Sequence, residues 1–342
     1  MAAAVQLDVR DLRHFNAAQM RPLLEEEGRA WGGNLHWDYR NSVELLLGYF
    51  ESRSLPGYVA LADGQILGYA FCVYEGHKAI IGDVFASPSL ATAPIPSPAR
   101  PAPIGAAADP STATEIVLLR HLIETLQNSP AITRVESQLL LPPYGSLRAA
   151  FVPAGFRGYQ RLLLERNFDL AQPQPQWTPH NSSWQQSVTL RRWQEEDFPQ
   201  AAELICNSYA GHIDAEINDQ YRTPQGAARF LHNIVRFPGC GFFDAAISRI
   251  ARDKTTGELA GMLLCSRVRA DTGHITQLCV APKYRTHGLA HALLDAAESE
   301  LRYQKFSGLT LTVTAANTSA MRLYTARGFH TRHSFEAFVW EK

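Results

Sequence analysis

At 342 residues, with 46 % apolar and 19 % charged side chains, the sequence is long enough for two α/β domains, each with its own core. A formal net charge of −1 and the lack of any long basic run argue against nucleic acid as a partner. No apolar signal core and no run of about eighteen apolar residues is present, which predicts a cytoplasmic protein without a membrane span. Taken in chain order, strands are expected at 55–61, 68–74 and 79–85. A Pro/Ala/Ser-rich stretch at 87–114 reads as an unpacked surface loop, followed by a helix at 115–127. Pro173, Pro175 and Pro179 mark a linker. The expected division is therefore 1–171, a linker at 172–186, and 187–342.

The second half alternates between strand and helix patterns. A strand at 187–191 precedes helices at 197–209 and 224–235, the latter with Thr223 as N-cap and Pro224 in the first turn. A hairpin over 245–250 and 259–267, a strand at 274–280, a helix at 288–304 and a strand at 309–314 follow. A short helix at 319–327, with Ser319 as its expected N-cap, leads into terminal strands near His330 and at 335–340. The fold class this implies is mixed α/β: a mostly antiparallel sheet with flanking helices, in two similar copies.

An internal repeat supports the two copies. Gly64-Gln-Ile-Leu-Gly68 matches Gly257-Glu-Leu-Ala-Gly261 at an offset of 193, and Ala154-Gly155-Phe156 matches Arg327-Gly328-Phe329 at 173, with Ser146 opposite Ser319. The difference of 20 residues falls in the interval that holds the Pro/Ala-rich stretch. The five cysteines, Cys72, Cys206, Cys240, Cys265 and Cys279, are scattered and form no C-x-x-C pair, so they fit a reducing compartment and no metal site.

Two segments carry chemistry. In the first, a strand ends at Leu278-Cys279-Val280 and the chain turns through Arg285-Thr286-His287-Gly288 into a helix that begins Leu289-Ala290. Unpaired N–H groups and the helix dipole make such a junction a cradle for a pyrophosphate. The second, Asn317-Thr-Ser-Ala-Met-Arg-Leu-Tyr-Thr-Ala-Arg-Gly-Phe329, places Ala320 and Tyr324 on one helix face. Together and in this order they resemble the GNAT acetyltransferase superfamily, whose patterns are Q/R-x-x-G-x-G/A and N-x-x-A-x-x-L-Y-x-x-x-G-F. Arg285, Gly288 and Ala290 meet the first; Asn317, Ala320, Leu323, Tyr324, Gly328 and Phe329 meet the second.

The resemblance implies an N-acetyltransferase that uses acetyl-CoA and no metal. Leu278, Cys279 and Val280 would bind the pantetheine arm as an added strand, and the N–H of Cys279 or Val280 would polarise the thioester. Arg285, Thr286, His287, Gly288, Leu289 and Ala290 would cradle the pyrophosphate, with Asn317 beside them. The acceptor amine would attack directly, and Tyr324 would protonate the departing thiolate. The base is left open: His274, six residues before Val280 and on its face by strand alternation, or His212, Asp214 or Glu216 in the loop that borders the acceptor in such proteins. His287 and His291 are four apart but lack a third metal ligand, and Cys279 reads as a packed residue.

The N-terminal copy lacks the R-x-x-G-x-G/A turn and carries Phe151 where the repeat aligns Tyr324. It is expected to be a degenerate GNAT-like domain. Such a tandem arrangement with an active C-terminal copy is similar in architecture to the mycothiol synthase family. The expected partner is a small-molecule or peptide amine, and the expected state a monomer with an internal pseudo-dimer. The competing reading is a non-catalytic acyl-CoA sensor or scaffold.

Overall fold

The structure is a computed structural model that describes residues 7–90, 110–168, 184–237 and 239–342. Most of the linker and of the Pro/Ala-rich stretch expected above lie outside the described residues; the linker's last residues, 184–186, fall in a short helix. The chain forms two compact units, Met1–Gln160 with Phe335–Lys342, and Arg161–Ser334.

In chain order the first repeat contains β1 (Asp8–Asp11), α1 (Ala17–Leu35), α2 (Arg40–Glu51), β2 (Gly57–Ala62), β3 (Gln65–Glu75) and β4 (Lys78–Ala86). It continues with α3 (Pro110–Asn128), β5 (Arg134–Leu139), α4 (Arg148–Phe151) and β6 (Arg157–Asn167). The second contains α5 (Trp184–Ser187), β7 (Val188–Arg192), α6 (Phe198–Tyr209), α7 (Ile213–Ile217), α8 (Pro224–Arg236), β8 (Phe242–Phe243), β9 (Arg249–Asp253) and β10 (Leu259–Arg269). Then come β11 (Thr272–Val280), α9 (Leu289–Tyr303), β12 (Gly308–Thr314), α10 (Thr318–Ala326) and β13 (His330–Glu341).

In the first unit β1, β2, β3 and β4 pair antiparallel in that order, β5 lies parallel to β4, and the end of β13 pairs antiparallel with β5. In the second unit β7, β9, β10 and β11 pair antiparallel, β12 lies parallel to β11, and Arg161–Asn167 of β6 pairs antiparallel with β12. The strand order is the same in both. Each unit is completed by a strand from the other repeat, so the compact units differ from the division expected at 172–186. The cause is visible in β6. Leu162 and Leu164 pack into the core built on α9, while Arg166 reaches Glu298 of α9 with both carboxylate oxygens at 2.6 and 2.7 Å. The open edge of β12 thus takes β6, and that of β5 takes β13.

The local agreement between repeats is close. Gly155 and Gly328 are left-handed at φ 82° and 81°. The N–H of Phe156 donates to the carbonyl of Phe151 at 3.2 Å, and that of Phe329 to the carbonyl of Tyr324 at 3.1 Å. The alignment of Phe151 with Tyr324 therefore has a structural counterpart. Phe151 is fully buried and stacks on Phe338 with centroids 4.1 Å apart.

Three expectations need correction. The helix expected at 115–127 begins at Pro110, inside the stretch read as an unpacked loop, and Ser111 and Thr114 are buried there. The hairpin's first strand starts at Arg249 and not near 245, because the Asp244 carboxylate takes the N–H groups of Ala246 and Ile247 at 2.9 and 3.1 Å and turns the chain there. The last helix is capped by Asn317, whose side chain accepts from the N–H of Ala320 at 3.1 Å, and not by Ser319. The expected caps of α8 are found: Thr223 accepts from the Gly226 N–H at 3.0 Å, with Pro224 in the first turn.

The first unit buries a carboxyl pair. Glu27 of α1 accepts from the Tyr69 hydroxyl at 2.7 Å and the Trp31 indole at 3.2 Å. Asp83 of β4 accepts from the Tyr39 hydroxyl at 3.0 Å and the Val84 N–H at 2.9 Å. Burial, and then the Asp83 charge beside it, pushes the Glu27 carboxyl well above the carboxylate range, so Glu27 holds the proton that the pair shares. A raised folded-state pKa contributes stability that is complete below the unfolded value and lost as pH rises through the folded one. Glu27→Gln cannot ionise, and its amide can donate where the shared proton sat. The variant is expected to gain about 1 kcal/mol or more at pH 8, a rise of roughly 2–4 °C in Tm for a unit of this size, and nothing near pH 4. Thermal melts across that pH range check it; parallel curves for the two proteins would refute the assignment.

Candidate active site

The second unit's sheet is covered on one face by α9 and α10 and on the other by α6 and α8. Leu263, Ile275, Leu309, Leu311 and Val313 pack with Leu289, Leu293 and Tyr324 on the first face. Met262, Leu264 and Cys279 pack with Ala201, Leu204, Ile205 and Leu231 on the second. The parallel ladder between β11 and β12 runs from Thr272/Gly308 to Ile275/Leu311 and stops there. Beyond it, Leu278–Val280 pairs only on its β10 side. The Ala281 N–H donates to the Ala260 carbonyl, so by strand alternation the Val280 N–H and C=O point away from β10. Of the two N–H groups considered from the sequence, Val280 is the one turned toward the opening.

A cleft of about 770 Å³ occupies this opening. Residues from both faces line it: Tyr209 and His212 from one, Leu289, Ala320 and Tyr324 from the other, with Leu278–Val280 between. All the expected cofactor-binding residues border it: Leu278, Cys279, Val280, Arg285, Thr286, His287, Gly288, Leu289, Ala290 and Asn317.

The turn before α9 has the conformation an anion cradle needs. Thr286 and Gly288 are left-handed at φ 65° and 83°, and Gly288 is the N-cap. Glycine has no side chain with which to cap α9, so the first N–H groups of a 15-residue helix face the cleft without a side-chain acceptor. Arg285 serves the loop more than the cleft: its guanidinium donates to the carbonyls of Val280 at 3.2 Å and Ser208 at 2.8 Å. It ties the end of β11 to the end of α6.

Tyr324 lies 7 % exposed in the cleft wall, edge-on to Phe329 at 5.6 Å. Burial, and then the Asp214 charge, pushes its phenol above the ordinary value, so it holds its proton throughout the working range. Cys279 also borders the cleft, but burial pushes its thiol up to about 12, which leaves it without nucleophilic character.

His274 does not reach the cleft. β11 carries a bulge at Thr276, because Leu264 pairs with Gln277 while the next residue, Cys265, pairs with Ile275. One inserted residue reverses the alternation, so His274 turns to the face opposite Leu278 and Val280. There its Nδ1 lies 2.9 Å from the Thr310 hydroxyl, which itself donates to the Gly273 carbonyl. Nδ1 therefore carries the proton, and burial pushes the ring down to about 3. A base inferred from strand parity fails on the bulge. His274→Gln is expected to keep the pH dependence of turnover, since a neutral buried ring contributes no ionisation there. Loss of the acidic limb of the pH profile in that variant would restore His274 as the base.

The loop after α6 is placed better. Asp214 accepts a short hydrogen bond from the Thr314 hydroxyl and lies 3.7 Å from Arg161. His212 lines the cleft, and its Nδ1 accepts from the Asp214 N–H at 3.2 Å, so its ring proton is on Nε2. Asp214 does not itself line the cleft, and Glu216 is exposed and does not line it either. Tyr209 and Tyr221, which stack at 4.4 Å, and Arg161 were not anticipated. Arg161 carried no signal in the sequence, since its strand joins the other repeat's unit only through the pairing with β12. His287 and His291 both border the cleft, but no group of three or more metal-ligating side chains occurs among the described residues. No described helix is long and apolar enough to cross a membrane.

Residues 188–329 match the profile of the acetyltransferase (GNAT) family, which places that segment in the family. A search of curated proteins returned no match. Among solved structures, a GCN5-related N-acetyltransferase from Sphaerobacter thermophilus superposes with a TM-score of 0.64 at 17 % identity, over 98 % of this chain and 95 % of that one. A tandem GNAT protein from the clavulanic acid biosynthesis pathway gives 0.59 at 14 % identity, over 98 % of each chain. A glucosamine N-acetyltransferase region of a fungal multi-domain β-N-acetylglucosaminidase gives 0.62 at 14 % identity, over 99 % of this chain and 38 % of that one. At these identities the likeness is one of fold.

Proposed function

We propose that the chain is an acetyl-CoA-dependent N-acetyltransferase that acts on a primary amine of a small molecule or peptide by direct attack. The observation that carries this reading is one cleft that gathers a helix-start anion cradle, an unpaired strand edge and a buried phenol. The pyrophosphate of the donor fits the N–H groups from Arg285 to Ala290, and its pantetheine arm fits the free edge of Leu278–Val280. The Val280 N–H then faces the thioester carbonyl and stabilises the charge that grows on its oxygen. The amine nitrogen bonds to the carbonyl carbon, the carbon–sulfur bond breaks, and Tyr324 gives its proton to the leaving thiolate. The ammonium proton leaves toward Asp214 and solvent. The first repeat's Phe151 has no proton to give, which supports a non-catalytic role for that GNAT-like copy.

Release of CoA thiol from acetyl-CoA, measured across amines, amino sugars and peptides, tests the proposal. Turnover that depends on one acceptor class is expected. Acetyl-CoA failing to bind, or binding without turnover of any amine, would overturn it.

A further inference from the structure

We infer that the acceptor is a small amine that also carries an anionic group, with Arg161 as the residue that binds the anion; this rests on the acyl-transfer reading above. On the α6–α8 face, the strand that borders the opening opposite Leu278–Val280 is β12. Thr314 stands in register with Arg161, and Thr312 accepts from the Arg161 Nη2 at 3.3 Å. Asp214 sits on the same strand end through its bond from Thr314. Tyr209 and His212, which line the cleft, precede Asp214 in sequence; the Asp214 charge raises the phenols of Tyr221 and Tyr324 after burial, and that of Tyr209 after burial and Tyr221. Arg161 and Asp214 do not themselves line the cleft; they adjoin its acceptor end through Thr312, Thr314 and His212.

The two charges are adjacent but not joined. Their closest approach, 3.7 Å, is beyond hydrogen-bond reach, and the side chains are only 12 % and 14 % exposed. The Arg161 Nε–H is buried without an acceptor among the described residues. A guanidinium offers five donors in a planar fork, and here at least one has no acceptor. An acceptor with an ammonium and an anion would replace this loose pair by two good ones, ammonium on Asp214 and anion on the Arg161 fork. The stacked rings of Tyr209 and Tyr221 add aromatic surface favourable to the ammonium. An amine without an anion leaves the buried donor unanswered.

The test compares matched acceptors with the full-length protein: the common amino acids against their decarboxylated amines for a carboxylate, and O-phosphoethanolamine against ethanolamine for a phosphate. The anion-bearing member is expected to have the higher kcat/KM by at least about tenfold. Arg161→Gln should reduce that advantage by roughly 10- to 100-fold, the size of a lost charge-assisted pair. The KM for acetyl-CoA should stay within about twofold, and the loss on anion-free amines should be clearly smaller than on their anion-bearing partners. Arg161→Lys, with charge but no fork, should recover part of the preference. The wild-type ratio needs no variant, so misfolding of Arg161→Gln does not block the test. Preference for the anion-free amines, or an equal loss on all acceptors in a folded Arg161→Gln, overturns the inference and leaves acyl transfer standing. Acetyl-CoA bound without turnover of any amine removes both.

Discussion

Tyr324→Phe is expected to lower kcat by about 10²- to 10⁴-fold, the usual worth of a positioned general acid, with the KM for acetyl-CoA almost unchanged. The prediction separates the phenol's two roles. Its ring packs edge-on against Phe329 and closes the cleft wall, and phenylalanine keeps that contact. In the proposed reaction, what is lost is the one proton that Tyr324 would give to the departing sulfur. Because burial raises this phenol, the wild type carries the proton at every working pH, so the variant should be slower by the same factor throughout. The first repeat has already made the same exchange at Phe151, which shows that the local fold tolerates it. Steady-state rates with acceptor and donor varied separately decide the matter. A decrease below about threefold would mean that the thiolate leaves without help from Tyr324.

A fragment of residues 187–342 is expected not to fold, although the family profile ends and begins inside it. The fragment lacks Arg161–Asn167, the strand that pairs with β12 across seven register positions. It also loses Leu164 and Phe168 from the core around α9. Arg166 no longer meets Glu298, a carboxylate only 7 % exposed, which then faces Arg327 alone. Losing the better of two partners of a nearly buried carboxylate costs about 1–3 kcal/mol, and an open strand edge with two missing core side chains adds several more. That sum is comparable with the whole stability of a domain, about 5–15 kcal/mol. Circular dichroism of 187–342 should show no cooperative melt, while a fragment that starts at 157 should regain one. A sharp transition in the shorter fragment would show that β6 is dispensable.

The fold was legible in the sequence where local chemistry decides it. Thr223-Pro224 starts α8, Gly328 ends the last helix region, and the strands expected at 259–267 and 274–280 fall within β10 and β11. The cleft was legible for the same reason, since Arg285–Ala290 and Asn317–Phe329 act through backbone turns and helix starts that short motifs specify. Non-local pairing was hidden. Nothing in residues 157–167 distinguishes a strand that closes its own repeat from one that closes the other. The bulge at Thr276 was equally silent, and it carried His274 to the wrong face. Arg161 and Asp214 come together from positions 53 residues apart through that same unforeseen pairing.

The shared closing strands also constrain how the chain is made. β5 waits for residues 336–341, with Arg134 and Glu341 meeting across a separation of 207 residues. On a ribosome, the unit translated first therefore keeps an open sheet edge until almost all of the second has emerged. Synthesis speed and chaperone cover matter more to the N-terminal unit than to the second one, whose borrowed strand is already outside when its own strands appear. A premature stop near residue 335 would then injure the half of the protein encoded at the opposite end of the message.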